Sequence, residues 1–184
     1  METVKPSSKR FPLKKLVFSG LFLALALVLP FLTGQIPQVG AALCPMHLPV
    51  LLCGFICGWP WGMAVGFIAP LLRFALFGMP PIFPTGVAMA FELASYGLLC
   101  GLLYKLLPKR IPFIYVTLII AMIGGRLVWG AVQYGIAGLS NTEFGIAAFW
   151  AGAVVNAVPG MIAQVVLVPL IVMALKKAGL CLNE

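Results

Sequence analysis

RFALFGMPPIFPTGVAMAFE, residues 73–92, joins an arginine, a proline-rich corner and a glutamate, with apolar sequence on either side. Its prolines at 80, 81 and 84 remove backbone donors and push the preceding residues towards extended conformations, so residues 78–84 cannot continue a helix. The stretch reads as two apolar helices meeting at a corner, each carrying one ionisable group. In hydrocarbon such a group costs about 2.5–3.5 kcal/mol on insertion scales, so it turns towards a protein interior or a water-filled cavity. A corner with Arg73 on one side and Glu92 on the other, lined by later polar helices, predicts a pocket open to one face of a membrane.

The rest of the chain agrees with that setting. Of 184 residues, 62% are hydrophobic and 9% charged, against roughly 25% charged in a soluble domain. Mean hydropathy is +1.12. A crossing takes about 20 residues, so the length allows about six or seven crossings and no separate soluble domain. The expected fold is an all-α integral membrane protein with one transmembrane substrate-binding domain over residues 1–184.

The net charge of +8 does not point to nucleic acid. Lys5, Lys9, Arg10, Lys14 and Lys15 flank the first apolar run, Lys105, Lys109 and Arg110 separate later runs, and Lys176 and Lys177 follow the last. Basic residues at helix ends mark the cytoplasmic side of a membrane protein. The five cysteines are odd in number and lie mostly in apolar sequence, as small core residues do. No small-residue cleavage site follows the first apolar run, which is expected to be a retained helix.

In chain order, helices are expected over residues 13–32, 47–58, 61–77, 85–107, 113–137 and 144–177, the last bent near Pro159 and Pro169. Trp59-Pro60-Trp61 is expected to form a tight turn at the membrane interface. Six crossings place both basic termini in the cytoplasm, with 33–46, 78–84 and 138–143 as outer loops and 108–112 as an inner loop. Gly54, Gly58, Gly62 and Gly66 recur every four residues across the second turn, the spacing of two closely packed helices. Gly20 and Ala24 form a similar pair of small residues on the first helix.

At about 1.5 Å of rise per residue, Arg73 lies roughly 6–9 Å below the outer surface, Glu92 roughly 10 Å, Arg126 roughly 16 Å and Asn156 roughly 18 Å. Every strongly polar intramembrane residue except Gln164 then falls in the outer half. Helical spacing aligns Glu92 with Tyr96, and Arg126 with Trp129, Gly130, Gln133 and Tyr134. It also stacks Gly152, Asn156, Gly160 and Gln164 on one face. Small residues beside large polar ones leave room for a solute, and His47 begins its helix near the same surface. One glutamate can pair with either arginine and tie helices together, but cannot neutralise both. The spare positive charge favours a carboxylate or phosphate, which a planar guanidinium recognises as a fork.

Cys44, Met46, His47, Cys53 and Cys57 offer soft ligands, yet 53 and 57 lie well below 47 and there is no second histidine, so no metal site is expected. Motifs of paired carboxylates, zinc hydrolases or nucleophile elbows are missing, and none asks for a cofactor or for catalysis. A Gly-x-x-x-x-Gly-Lys phosphate loop is missing too, so the chain does not carry its own ATPase of that type.

The length, six helices, basic N-terminus, long first outer loop and Gly20-Leu-Phe-Leu-Ala24 together resemble the S components of energy-coupling factor (ECF) vitamin transporters. Members commonly have Ala-xxx-Ala where this chain has Gly20 and Ala24. His47-Leu-Pro49-Val50 and the glycine-rich hairpin after it look most like the pantothenate and folate branches. Met46-His47-Leu-Pro49 also echoes the start of nickel and cobalt S components, but there it stands at the extreme N-terminus with a free amine as ligand. The resemblance implies a water-soluble vitamin bound between the outer halves of the helices, with His47, Arg73, Glu92, Tyr96, Arg126, Trp129, Gln133 and Asn156 as candidate contacts. It further implies docking through Gly20 and Ala24 on a membrane scaffold subunit driven by two cytosolic ATPases, in a prokaryotic plasma membrane. A stand-alone secondary transporter, with Arg73, Glu92 and Arg126 as an ion relay, is the alternative. Inverted repeats, which would support it, are not evident.

Overall fold

A computed structural model describes residues 13–33, 43–139, 145–153 and 155–183. The regular structure among these residues is entirely helical: α1 (Leu13–Val28), α2 (His47–Cys57), α3 (Trp59–Phe77), α4 (Val87–Leu106), α5 (Ile111–Leu139), α6 (Ile146–Ala153) and α7 (Val158–Lys177). Short turns extend α1 through Leu29–Thr33, lead into α4 through Ile82–Gly86 and precede α7 at Val155–Ala157. Five segments are long and apolar enough to cross a membrane, and α2 is shorter. Every residue of α2 except Leu48 is buried. A helix that is apolar all round belongs inside a bundle, and neighbours shield this one from lipid.

Two differences from expectation, and one agreement, have local causes. The turn between α2 and α3 is Gly58 alone, at a φ of 96° that suits glycine, and Trp59 and Pro60 already belong to the first turn of α3. The corner after α3 behaves as its prolines require: Gly78 caps α3 in the left-handed conformation and Phe83 is extended. The expected single helix over 144–177 is two helices. Pro159 stands in the first turn of α7, where a missing N–H is tolerated, while Pro169 is carried inside α7 without ending it.

The glycine spacing joins three helices rather than two. A Cβ on Gly97 of α4 would stand 2.1 Å from the carbonyl carbon and oxygen of Gly62 of α3. One on Gly66 would stand 2.3 Å from Leu93 O, and one on Gly101 2.2 Å from Trp59 N. On the α2 side, a Cβ on Gly54 would approach Gly97 O to 2.7 Å. Backbone therefore packs directly on backbone, which is how helices associate where lipid removes the hydrophobic drive. Around this contact Leu51, Phe55, Ile56, Leu93, Tyr96, Tyr104 and Leu118 form a continuous buried core.

After α7 the chain turns back across the end of the bundle that carries the basic 108–110 loop. Leu182 N donates to Ile56 O at 2.9 Å, and Asn183 Nδ2 donates to Gly101 O at 3.0 Å and Gly54 O at 3.4 Å. The tail thus satisfies Ile56 O, which the end of α2 leaves open, and adds hydrogen bonds to the Gly54 and Gly101 carbonyls.

Gly97→Ala is expected to lower stability by about 1–3 kcal/mol, because neither helix backbone can give way. Gly135→Ala on α5, with nothing within 4 Å of its Cβ, is expected to be neutral or slightly stabilising. Thermal unfolding in detergent compares the two; equal losses would place the tight contact elsewhere.

Candidate functional site

Glu92 on α4 is 1% exposed and gathers partners from three helices. Its Oε1 lies 2.9 Å from Arg126 Nη1 of α5 and 3.4 Å from His47 Nε2, the first residue of α2. Tyr96, one turn further along α4, donates its hydroxyl to the same oxygen at 3.1 Å. The His47 and Tyr96 rings lie 5.3 Å apart between centroids. A buried charge needs a close opposite charge and full hydrogen bonding, and the Arg126 guanidinium supplies the first.

The second side of Arg126 reaches Cys44, a residue that helical spacing does not single out. Its Nη2 donates to Cys44 Sγ at 3.4 Å. Cys44 holds a φ of 47°, uncommon for any residue but glycine, just before α2 begins. Its carbonyl accepts from His47 N at 3.0 Å and from Gln164 Nε2 of α7 at 3.4 Å. Gln164 was expected in the inner half because a helix from 144 would carry it deep. With α7 restarting at Val158, Gln164 lies only in its second turn and joins the cluster. In the sequence Cys44 is legible as a thiol beside His47, and Gln164 as the innermost residue of the face that also carries Gly152, Asn156 and Gly160.

Three buried nitrogens in this cluster, Arg126 Nε and both ring nitrogens of His47, have no hydrogen-bond partner among the described residues. Leaving a buried donor unmet costs about 1–3 kcal/mol. Trp129 and Gln133 continue the α5 face beyond Arg126, both half-buried, while Tyr134 is exposed. The Trp129 ring lies 6.4 Å from that of Phe149 on α6, and its edge is where a Cβ on Gly152 would be. Asn156 stands in the short turn before α7; its side chain lies outside the described residues, as do the outer loop residues 34–42 and 140–144.

Arg73 does not join Glu92. It is 4% exposed, donates from Nη1 to Leu27 O of α1, and stacks over the Phe31 and Phe77 rings at 5.0 and 5.4 Å. Those two rings meet edge-on at 4.9 Å. The guanidinium therefore ties the far end of α1 to the far end of α3, and among the described residues Arg126 is the arginine that meets Glu92. Among the described residues no group of histidine, cysteine or carboxylate side chains could hold a metal ion.

The model of the ECF transporter, substrate-specific component family matches residues 14–172. The chain belongs to that family. No curated protein and no solved structure matches it. An S component is the substrate-binding subunit of a transport system and works with a membrane scaffold and ATPase subunits, a role consistent with the helices long enough to span a membrane. In this S component the buried polar cluster joins α2, α4, α5 and α7, four helices that converge on one site.

Glu92→Gln is expected to lower the melting temperature strongly, since removing one partner of a buried pair costs about 3–5 kcal/mol. In Glu92→Gln with Arg126→Gln, part of that loss should return, with a coupling of about 0.5–3 kcal/mol by thermal unfolding. Strict additivity would show that the pair contributes nothing.

Proposed function

We propose that this S component binds a small water-soluble vitamin at the Glu92–Arg126–His47 cluster, with pantothenate as first candidate, for ATP-driven uptake across a prokaryotic plasma membrane. The observation that carries it is the set of buried nitrogens without a hydrogen-bond partner among the described residues, Arg126 Nε and the two ring nitrogens of His47, on a guanidinium and an imidazole held beside Glu92. A guanidinium held in place loses little freedom on meeting an acceptor. The balance of two arginines against one glutamate no longer supports a net anionic preference, because Arg73 is engaged between α1 and α3. What favours pantothenate is acceptor chemistry: it carries a carboxylate, an amide carbonyl and hydroxyls. Folate and pyridoxine-type vitamers come next on the same ground. Trp129, Gln133 and Asn156 are proposed to complete the site, and Arg73 to act on its frame rather than on the vitamin.

Gly20 and Ala24 are exposed on α1, and nothing lies within 4 Å of a Cβ at Gly20. Phe22 and Ala26, on the opposite side, are buried in the bundle. A small-residue face turned outwards suits close docking of the scaffold subunit. Loaded and docked, the S component would topple within the membrane and carry its outer site inwards.

Native mass spectrometry of the gently purified chain should reveal a bound vitamin, and Arg126→Lys should weaken its binding by more than about tenfold by removing the guanidinium fork. Unchanged affinity would take Arg126 out of the site, and a different bound mass would replace pantothenate. Gly20→Leu with Ala24→Leu should abolish uptake in the full complex and leave binding by the isolated chain intact. Uptake that survives would move the docking face.

A further inference from the structure

At the end of the bundle bearing Lys105, Lys109 and Lys176, the chain builds a second concavity of about 210 Å³. Its lining includes Lys15 of α1, Gly58 of the α2–α3 turn, Trp59 and Trp61 at the start of α3, Lys105 of α4 and Asn183 of the tail. The tail wall is fixed by the Asn183 amide on Gly54 and Gly101 and by Leu182 N on Ile56.

The lysines around this end divide into two kinds. Lys109 Nζ donates to Tyr104 O at 2.6 Å and Asn183 O at 3.1 Å, lies 3.9 Å from the Tyr104 ring centroid, and is thereby part of the wall. Lys176 Nζ donates to Lys109 O at 3.2 Å. Lys15 and Lys105 line the cavity, and among the described residues neither ammonium has a hydrogen-bond or carboxylate partner. Among the described residues no carboxylate lines the cavity. α3 begins at this point while α2 and α4 end there, so the helix dipoles offset one another and the positive field comes from the two ammoniums. Tryptophans at 59 and 61 suit the headgroup level of a bilayer, and basic pockets between helices on the cytoplasmic side bind anionic headgroups.

We propose that this cavity binds a phosphate-bearing anion, either the headgroup of an anionic phospholipid of the inner leaflet or free phosphate. The two ammoniums come from different helices, so one phosphate held by both would link α1 to α4 beside the α2–α3 turn. The site is independent of the vitamin site, and its test reads lipid rather than vitamin.

The detergent-purified chain would be titrated with phosphatidylglycerol or phosphatidylcholine and the retained lipid counted by native mass spectrometry. The wild type is expected to prefer phosphatidylglycerol by about tenfold or more, the scale that two basic groups at an anionic surface provide. Lys15→Gln with Lys105→Gln should abolish that preference, while Lys14→Gln with Lys177→Gln, an equal charge change at exposed positions off the cavity, should keep it. Circular dichroism and melting temperature would check that both variants fold. Millimolar inorganic phosphate that raises the melting temperature of the wild type but not of the cavity variant, and displaces the lipid, would identify free phosphate as the source. Equal lipid preference in the two double variants would overturn the proposal, as would a wild type with no preference and no response to phosphate.

Discussion

A carboxylate buried at 1% exposure in an apolar bundle is the constraint around which this S component is arranged. A charge buried there needs an opposite charge in contact and full hydrogen bonding. α5 provides Arg126, α4 itself provides the Tyr96 hydroxyl, and α2 opens with His47 beside the same oxygen. Arg126 then reaches back to Cys44, whose carbonyl is held by Gln164 of α7. One charge thus fixes the mutual orientation of four helices.

Such an arrangement needs the helices close enough for short polar contacts, and the glycines provide that closeness. Gly62 and Gly97 let the α3 and α4 backbones touch, and Gly54 brings α2 against the same line. The polar cluster and the glycine contact lie on the same helices, α2 and α4, so packing at one level sets geometry at the other. A side chain at Gly97 would move Glu92 as well as the helix that bears it.

Arg73 and the tail act at the edges of this core. Arg73 links the ends of α1 and α3 through a carbonyl and two aromatic rings, a use of guanidinium that combines hydrogen bonding with stacking. Asn183 does comparable work at the other end, filling the acceptors of Gly54 and Gly101. Both are polar groups satisfied inside the protein, as a low-dielectric surrounding demands.

The sequence by itself determined the all-helical membrane class, the break at the 78–84 corner, the close approach implied by the glycine spacing, and the presence of Glu92 and Arg126 on polar helix faces. Those follow from hydropathy, proline chemistry and helical period, which are local properties of the chain. Only the tertiary structure decided that Arg126 and not Arg73 pairs with Glu92, that Gly97 and Gly101 of α4 complete the glycine contact, and that Gln164 reaches Cys44 once α7 restarts at Pro159. Period shows which side of a helix a residue occupies. It does not show which other helix that side meets, because the choice between two arginines for one carboxylate rests on helix rotation and offset, and these are set by packing across the whole bundle.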